Sequence, residues 1–234
     1  NRSYEKAIKA QAFILNSDNI VSKYEDILID SSGLSAIIGE NSFYKILGTQ
    51  KKLPSSQIDH KVLTKGLFSK IISTFDVADV VSSQNFVPEI SMWLSSAGDG
   101  EKEEFVKWLV NNAEDCGEKL NELPLFTFDG KKISANGISK AWNLIATNAI
   151  YEPIKEVLNK IGIACSVETV EDFPLSKYLK LPSDSEYFDI IKKHLAEMSP
   201  QVIIEPREKV QLVLSLRQIE GIGDASIKDL PLFN

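Results

Sequence analysis

The chain has 234 residues, 43% hydrophobic and 25% charged, a composition that fits one large or two modest globular domains and argues against disorder. Its formal charge of −7, from 33 acidic against 26 basic side chains, opposes a phosphate backbone, so nucleic acid is not the expected partner. Its 2 cysteines and 2 histidines are too few for a disulfide framework or an obvious zinc set, and no stretch approaches the roughly 18 apolar residues of a membrane span.

The start carries Arg2, Lys6 and Lys9 with no apolar h-region, unlike a signal peptide, and a cytoplasmic setting is expected. Ala12 to Leu15 and Ile27 to Ile29 are short apolar runs closed by Asn16-Ser-Asp and Asp30-Ser-Ser-Gly33, which predicts buried strands ended by turns. Leu63, Leu67, Ile71 and Phe75 recur every fourth residue after Asp59, which predicts a capped helix. A second helix is expected around Phe105, Trp108 and Leu109, because Asp99, Glu101, Glu103 and Glu104 place negative charge where a helix begins.

Leu125 to Phe128 and Lys132 to Ser134 flank Asp129-Gly130 and predict a hairpin, since Gly accepts the positive φ of the second turn position. Ile154, Val157, Leu158 and Ile161 follow Pro153 and stop at Gly162, a helix with proline at its first turn. Ile161 to Val167 is rich in β-branched residues and predicts a strand. Ser183-Asp-Ser-Glu186 fits a capping box ahead of the stripe Tyr187, Ile191, Leu195, Met198, closed by Pro200. The expected fold is mixed α/β (α+β) and helix-rich with small sheets, divided into units 1–122 and 123–234.

One feature cuts across these elements. Leu123-Pro-Leu-Phe126 returns as Leu230-Pro-Leu-Phe233, a shift of 230 − 123 = 107. Phe105, Val106, Leu109 and Leu120 likewise precede Leu212, Val213, Leu216 and Ile227, although Trp108 faces Ser215. The shift predicts a twofold internal repeat of helix, turn near Gly117 or Asp224, and extended Leu-Pro-Leu-Phe. With no Met before Asn1 and the second copy at the last residues, a piece of a longer repetitive polypeptide is expected.

Candidate chemistry is sparse. His60 and His194 form no His-x-x-x-His pair, and Cys116 and Cys165 read as buried thiols. Asp26, Asp30 and Glu40 with Gly33 and Gly39 suggest an acidic phosphate or magnesium site, but no phosphate-cradling glycine loop accompanies them. Gly221-Ile-Gly223 resembles the turn of a helix-hairpin-helix module, yet Asp224 follows and Ala225 stands two residues too early. Of Trp93, Trp108 and Trp142, which invite a ligand-binding reading, two lie on helical apolar stripes where packing explains them, Lys51-Lys52 reads as a solvated turn, and Glu205-Pro-Arg-Glu-Lys209 reads as a charged helix start. No catalytic, cofactor or metal residue is assigned, and no cofactor is expected.

Tyr24-Glu-Asp-Ile-Leu-Ile-Asp-Ser-Ser-Gly-Leu34, Phe43-Tyr-Lys-Ile-Leu47 through Leu53-Pro54, and Leu123-Pro-Leu-Phe-Thr-Phe-Asp-Gly130 resemble the repeat regions of sacsin-like proteins. The resemblance implies a large parent in which a gyrase/histidine-kinase type ATPase fold precedes long interaction modules. The family's Asp-x-Gly-x-Gly turn is not completed at Asp30, Asp99 or Asp129, so no ATP-site residue is carried over. The expectation is a non-enzymatic, chaperone-related interaction or scaffold segment whose partners are other domains of the same parent, or protein clients. An enzyme, hydrolase or transferase, with an unrecognised site is one alternative. A nucleic-acid module at Gly221 to Gly223 is the other.

Overall fold

A computed structural model of the chain describes residues 13–65, 68–170 and 173–232. The fold is helix-rich mixed α/β with two-stranded sheets, and the chain divides into two compact units, Asn1–Lys119 and Leu120–Asn234.

In the first unit, β1 (Phe13–Leu15) and β2 (Val21–Lys23) form an antiparallel hairpin. Asn16 holds its turn, its Oδ1 accepting the amides of Asp18 and Ile20 at 2.9 Å each. The apolar run at Ile27 continues into β3 (Leu28–Asp30), where Leu28 is fully buried. Two short helices follow, α1 (Ser35–Ile38) and α2 (Glu40–Leu47), joined by Gly39 at φ 79°. Gly48, at φ 60°, ends α2: its amide reaches the carbonyl of Lys45 and that of Thr49 reaches Tyr44, so the left-handed residue satisfies two orphan carbonyls. The chain then returns beside β3 in parallel, with Leu28 N bonded to Lys52 O and Lys52 N to Asp26 O.

The stripe at Leu63, Leu67, Ile71 and Phe75 does not make one helix. Helix α3 (His60–Leu63) is a single turn, Phe68–Lys70 is a 3-10 turn, and Ser73–Phe75 is β4, parallel to β3 with Leu28 opposite Ser73. Leu67 lies outside the described residues. The β-branched run Ile71-Ile72 with Thr74 suits a pleated strand, and pairing with β3 overrides the four-residue period. Ile72 and Leu63 then join Ile14, Ile27 and Ile29 in one apolar cluster.

Helix α4 (Val77–Ser82) starts in a reciprocal cap, Asp76 N to Asp79 Oδ2 at 3.1 Å and Asp79 N to Asp76 Oδ1 at 2.9 Å. Helix α5 (Phe86–Ser96) follows, then α6 (Asp99–Asn111) over the predicted acidic start, then one turn as α7 (Ala113–Cys116). The expected inner residues Phe105, Trp108 and Leu109 are buried.

The second unit opens on the predicted hairpin, β5 (Phe126–Phe128) against β6 (Lys131–Ile133). Asp129 and Gly130 sit at φ 47° and 72°, the two left-handed positions of a two-residue loop, which places β6 one residue earlier than expected. After α8 (Ala135–Lys140) comes β7 (Leu144–Ile145), and after a 3-10 turn containing Pro153 comes α9 (Lys155–Lys160). Gly162 at φ 85° ends α9 with the same pattern as Gly48, Gly162 N to Asn159 O and Ile163 N to Leu158 O. The predicted strand 161–167 contracts to β8 (Ala164–Cys165), parallel to β7. Both units therefore contain a hairpin followed by a strand, a helix stopped by a left-handed glycine, and a parallel return.

Helix α10 (Asp184–Ala196) has its predicted box, Ser183 N to Glu186 Oε2 at 2.7 Å and Glu186 N to Ser183 Oγ at 3.3 Å. Met198 and Pro200 lie beyond its end. Helices α11 (Pro206–Leu216) and α12 (Asp224–Lys228) close the unit.

Candidate functional site

The echo extends further in the structure than in the residue types. The caps at Asp76/Asp79 and Ser183/Glu186 stand 107 positions apart (183 − 76 = 107). So do the starts of α6 and α11, where Glu101 Oε2 accepts Gly98 N and Glu208 Oε2 accepts Glu205 N, each at 2.8 Å. Leu123 N bonds Leu120 O and Leu125 N bonds Leu123 O; Leu230 N bonds Ile227 O and Leu232 N bonds Leu230 O. Leu120, Leu123 and Leu125 are buried, as are Ile227, Leu230 and Leu232.

Two details of the expected repeat change. Asp224 is not a turn: it opens α12, while its counterpart Gly117, at φ 48°, opens a 3-10 helix. Leu125 leads into a strand, whereas residues 230–232 form a turn, and Phe233 lies outside the described residues.

The repeated frame isolates a difference in surface. On α6 the outward positions carry Glu103 and Lys107, paired at 3.2 Å. The same positions of α11 carry Val210 and Leu214, 57% and 55% exposed. Between them runs a shallow depression of about 390 Å³, lined by Pro206, Lys209, Val210, Val213, Leu214 and Arg217. The opposite face of α11 buries Leu212, Ser215 and Leu216. Lys209 donates to the Leu232 carbonyl at 2.7 Å and Arg217 pairs with Asp224 at 3.0 Å, so the cations flanking the depression are held in place. Sequence reading missed Val210 and Leu214; the signal was present in the shift that sets them opposite a charged pair.

The residues singled out for chemistry are occupied structurally. Asp30 Oδ1 accepts the amides of Ser32 and Gly33 and the Ser32 hydroxyl, and Oδ2 accepts Ser35 N at 2.7 Å, so the carboxylate builds the loop after β3. Glu40 accepts the Tyr44 hydroxyl at 2.9 Å, and the backbone carbonyl of Asp26 accepts Lys52 N. His194 Nδ1 lies 3.1 Å from the Ile161 carbonyl, to which it donates. The side chain of His60 lies outside the described residues.

Burial pushes the Cys116 thiol up to about 12, with Asp115 adding to it, and pushes Cys165 up to about 11, so both stay protonated rather than nucleophilic. Among the described residues no group of three or more His, Cys, Asp or Glu could hold a metal ion. Among the same described residues no helix is long and apolar enough to cross a membrane.

Gly221 stands at φ 84° and Gly223 caps α12, but Asp224 follows at once and binds Arg217. A phosphate approaching those amides meets a carboxylate. Lys51 and Lys52 are not a free solvated turn: Lys51 Nζ donates to Ser73 Oγ at 2.7 Å, and Lys52 pairs with Asp18 at 3.1 Å above the Tyr44 ring. In the 205–209 segment Glu208 also takes the Lys160 ammonium, tying α9 to α11.

Trp93 packs edge-on against Phe105, and Trp108 donates from the core. Trp142 is 73% exposed beside a cleft of about 260 Å³ shared with Ile138, Pro182, Asp189 and Ile190, and Lys193 lies 5.7 Å from its ring centre. Comparison of the chain with protein-family models, with curated proteins and with solved structures found no match.

Proposed function

We propose that this chain is a non-enzymatic interaction segment of a larger, sacsin-like, ATPase-linked cytoplasmic protein, chaperone-related in its role and working through protein partners. The resemblance at residues 24–34, 43–54 and 123–130 motivates the parent. The observation that carries the interaction reading is the exchange of the Glu103–Lys107 pair for Val210 and Leu214 on an otherwise repeated helix. Because α6 keeps the same caps and the same buried face with charge at those positions, the apolar pair on α11 is not a requirement of folding. Neighbouring exposed apolar side chains with a basic rim, which the fold does not need, support a contact surface.

A photo-crosslinking residue placed at Leu214, with a twin at Lys107, tests this in the intact parent. A discrete protein adduct at 214 and none at 107 is expected. No adduct at 214 would overturn the reading, as would a robust hydrolytic or nucleotide-binding activity of this chain that a single substitution within it abolishes.

A further inference from the structure

Along α11, Arg207, Val210, Leu214 and Arg217 follow one another at spacings of three, four and three residues, which sets them in a single row on the helix surface. The row reads basic, apolar, apolar, basic. Its two arginines stand about 15 Å apart along the axis, since each residue rises about 1.5 Å. Val213 and Lys209 border it, and Ile203, 70% exposed, precedes the helix.

We infer that this face docks an amphipathic helix from a partner protein, with two apolar residues seated on Val210, Val213 and Leu214 and a carboxylate at each end near Arg207 and Arg217. The inference rests on the interaction reading above and adds the chemistry of the partner. Charge selects it. A second copy of this chain would bring its own Arg207 and Arg217 against the first pair, so local like charge opposes self-association. A partner helix with acidic ends meets Arg207 directly and shares Arg217 with Asp224, which pairs with it at 3.0 Å, and its apolar middle covers the exposed valine and leucine, the groove-docking mode of amphipathic helices. Residues at i and i+4 on that helix match the Val210 to Leu214 spacing.

The test uses the whole chain and two synthetic helical peptides with leucine at i and i+4, one flanked at both ends by glutamates and the other by lysines. The glutamate-flanked peptide should shift amide resonances along 206–217 and bind about tenfold more tightly at low salt, the gap closing as salt screens it. V210E/L214K transplants the charged pair of α6 and should abolish binding while leaving the circular dichroism spectrum and melting temperature unchanged. R207E/R217E should reverse the preference towards lysine flanks, and it decides the matter should the first variant fail to fold.

Equal affinity for the two peptides, resonance shifts elsewhere, or undiminished binding by V210E/L214K overturns the inference. A dimer in sedimentation equilibrium that V210E/L214K disperses also overturns it, making a second copy the occupant. If neither peptide binds yet position 214 still crosslinks to a protein, the partner class is wrong and the interaction reading stands; if both fail, both fall.

Discussion

Trp108 donates its indole N–H to the carbonyl oxygen of Ser32 over 2.7 Å, fixing α6 to the loop that follows β3. Ser32 and Trp108 are both buried, so water cannot replace the bond. Trp108→Phe keeps the stacking on Phe105 but orphans the carbonyl, and should cost about 1–3 kcal/mol in the urea transition of the first unit. An unchanged midpoint would show that the bond contributes nothing.

Asp30 gathers four donors within its own loop, which makes it an organiser of backbone rather than a ligand. Asp30→Ala should destabilise the first unit by about 2–3 kcal/mol, since charge-assisted bonds of this kind exceed neutral ones. Added magnesium should not protect the wild type against thermal unfolding. Protection that Asp30→Ala removes would return this residue to the role of metal ligand.

The Glu186 carboxyl is held below its ordinary value of 4.5 by the Ser183 amide first and the Ser183 hydroxyl second. Glu208 is held below it chiefly by Lys160, then by the Glu205 amide. Each carboxylate therefore contributes stability that is present above pH 4.5 and lost as pH falls through the lower folded value. In a chain carrying Glu186→Gln, the fall in stability of the second unit below pH 4.5 should be shallower than in the wild type. Carbon-detected titration should place Glu186 and Glu208 below the ordinary value of 4.5; values at or above it would remove the capping contribution.

Cys116 and Cys165 are buried, with thiols raised to about 12 and about 11. Iodoacetamide at pH 8 should leave both unmodified in the folded chain and alkylate both in denaturant, read by mass spectrometry. Rapid modification of either in the native state would mark a reactive thiol where burial argues for an inert one.

Where a local rule is sufficient, the sequence was legible. The Ser183/Glu186 box, the Asp129-Gly130 turn, the acidic start of α6 and the stop at Gly162 each depend on a few neighbouring residues and the orphan groups they satisfy. The 107-residue shift was legible too, because repeated structure leaves repeated apolar positions. Where a partner strand decides, it was not. Ile71 to Phe75 carry a helical period that parallel pairing with β3 overrides, and the strand at 161–167 shrinks to the two residues that face β7.

The contact face lay between these cases. Val210 and Leu214 are ordinary apolar residues of an amphipathic helix, and no local pattern tells an inward valine from an outward one when both sides of the helix hold apolar residues. The sequence by itself determined the Ser183/Glu186 cap and the Asp129-Gly130 turn, which are satisfied within a few residues of chain, and it carried the 107-residue echo in its apolar positions. Leu212 and Leu216 fill the core as their counterparts Phe105 and Leu109 do, but only the tertiary structure decided that Val210 and Leu214 stay outside it. Which face is buried depends on what packs against it, and that is a property of residues far away in sequence.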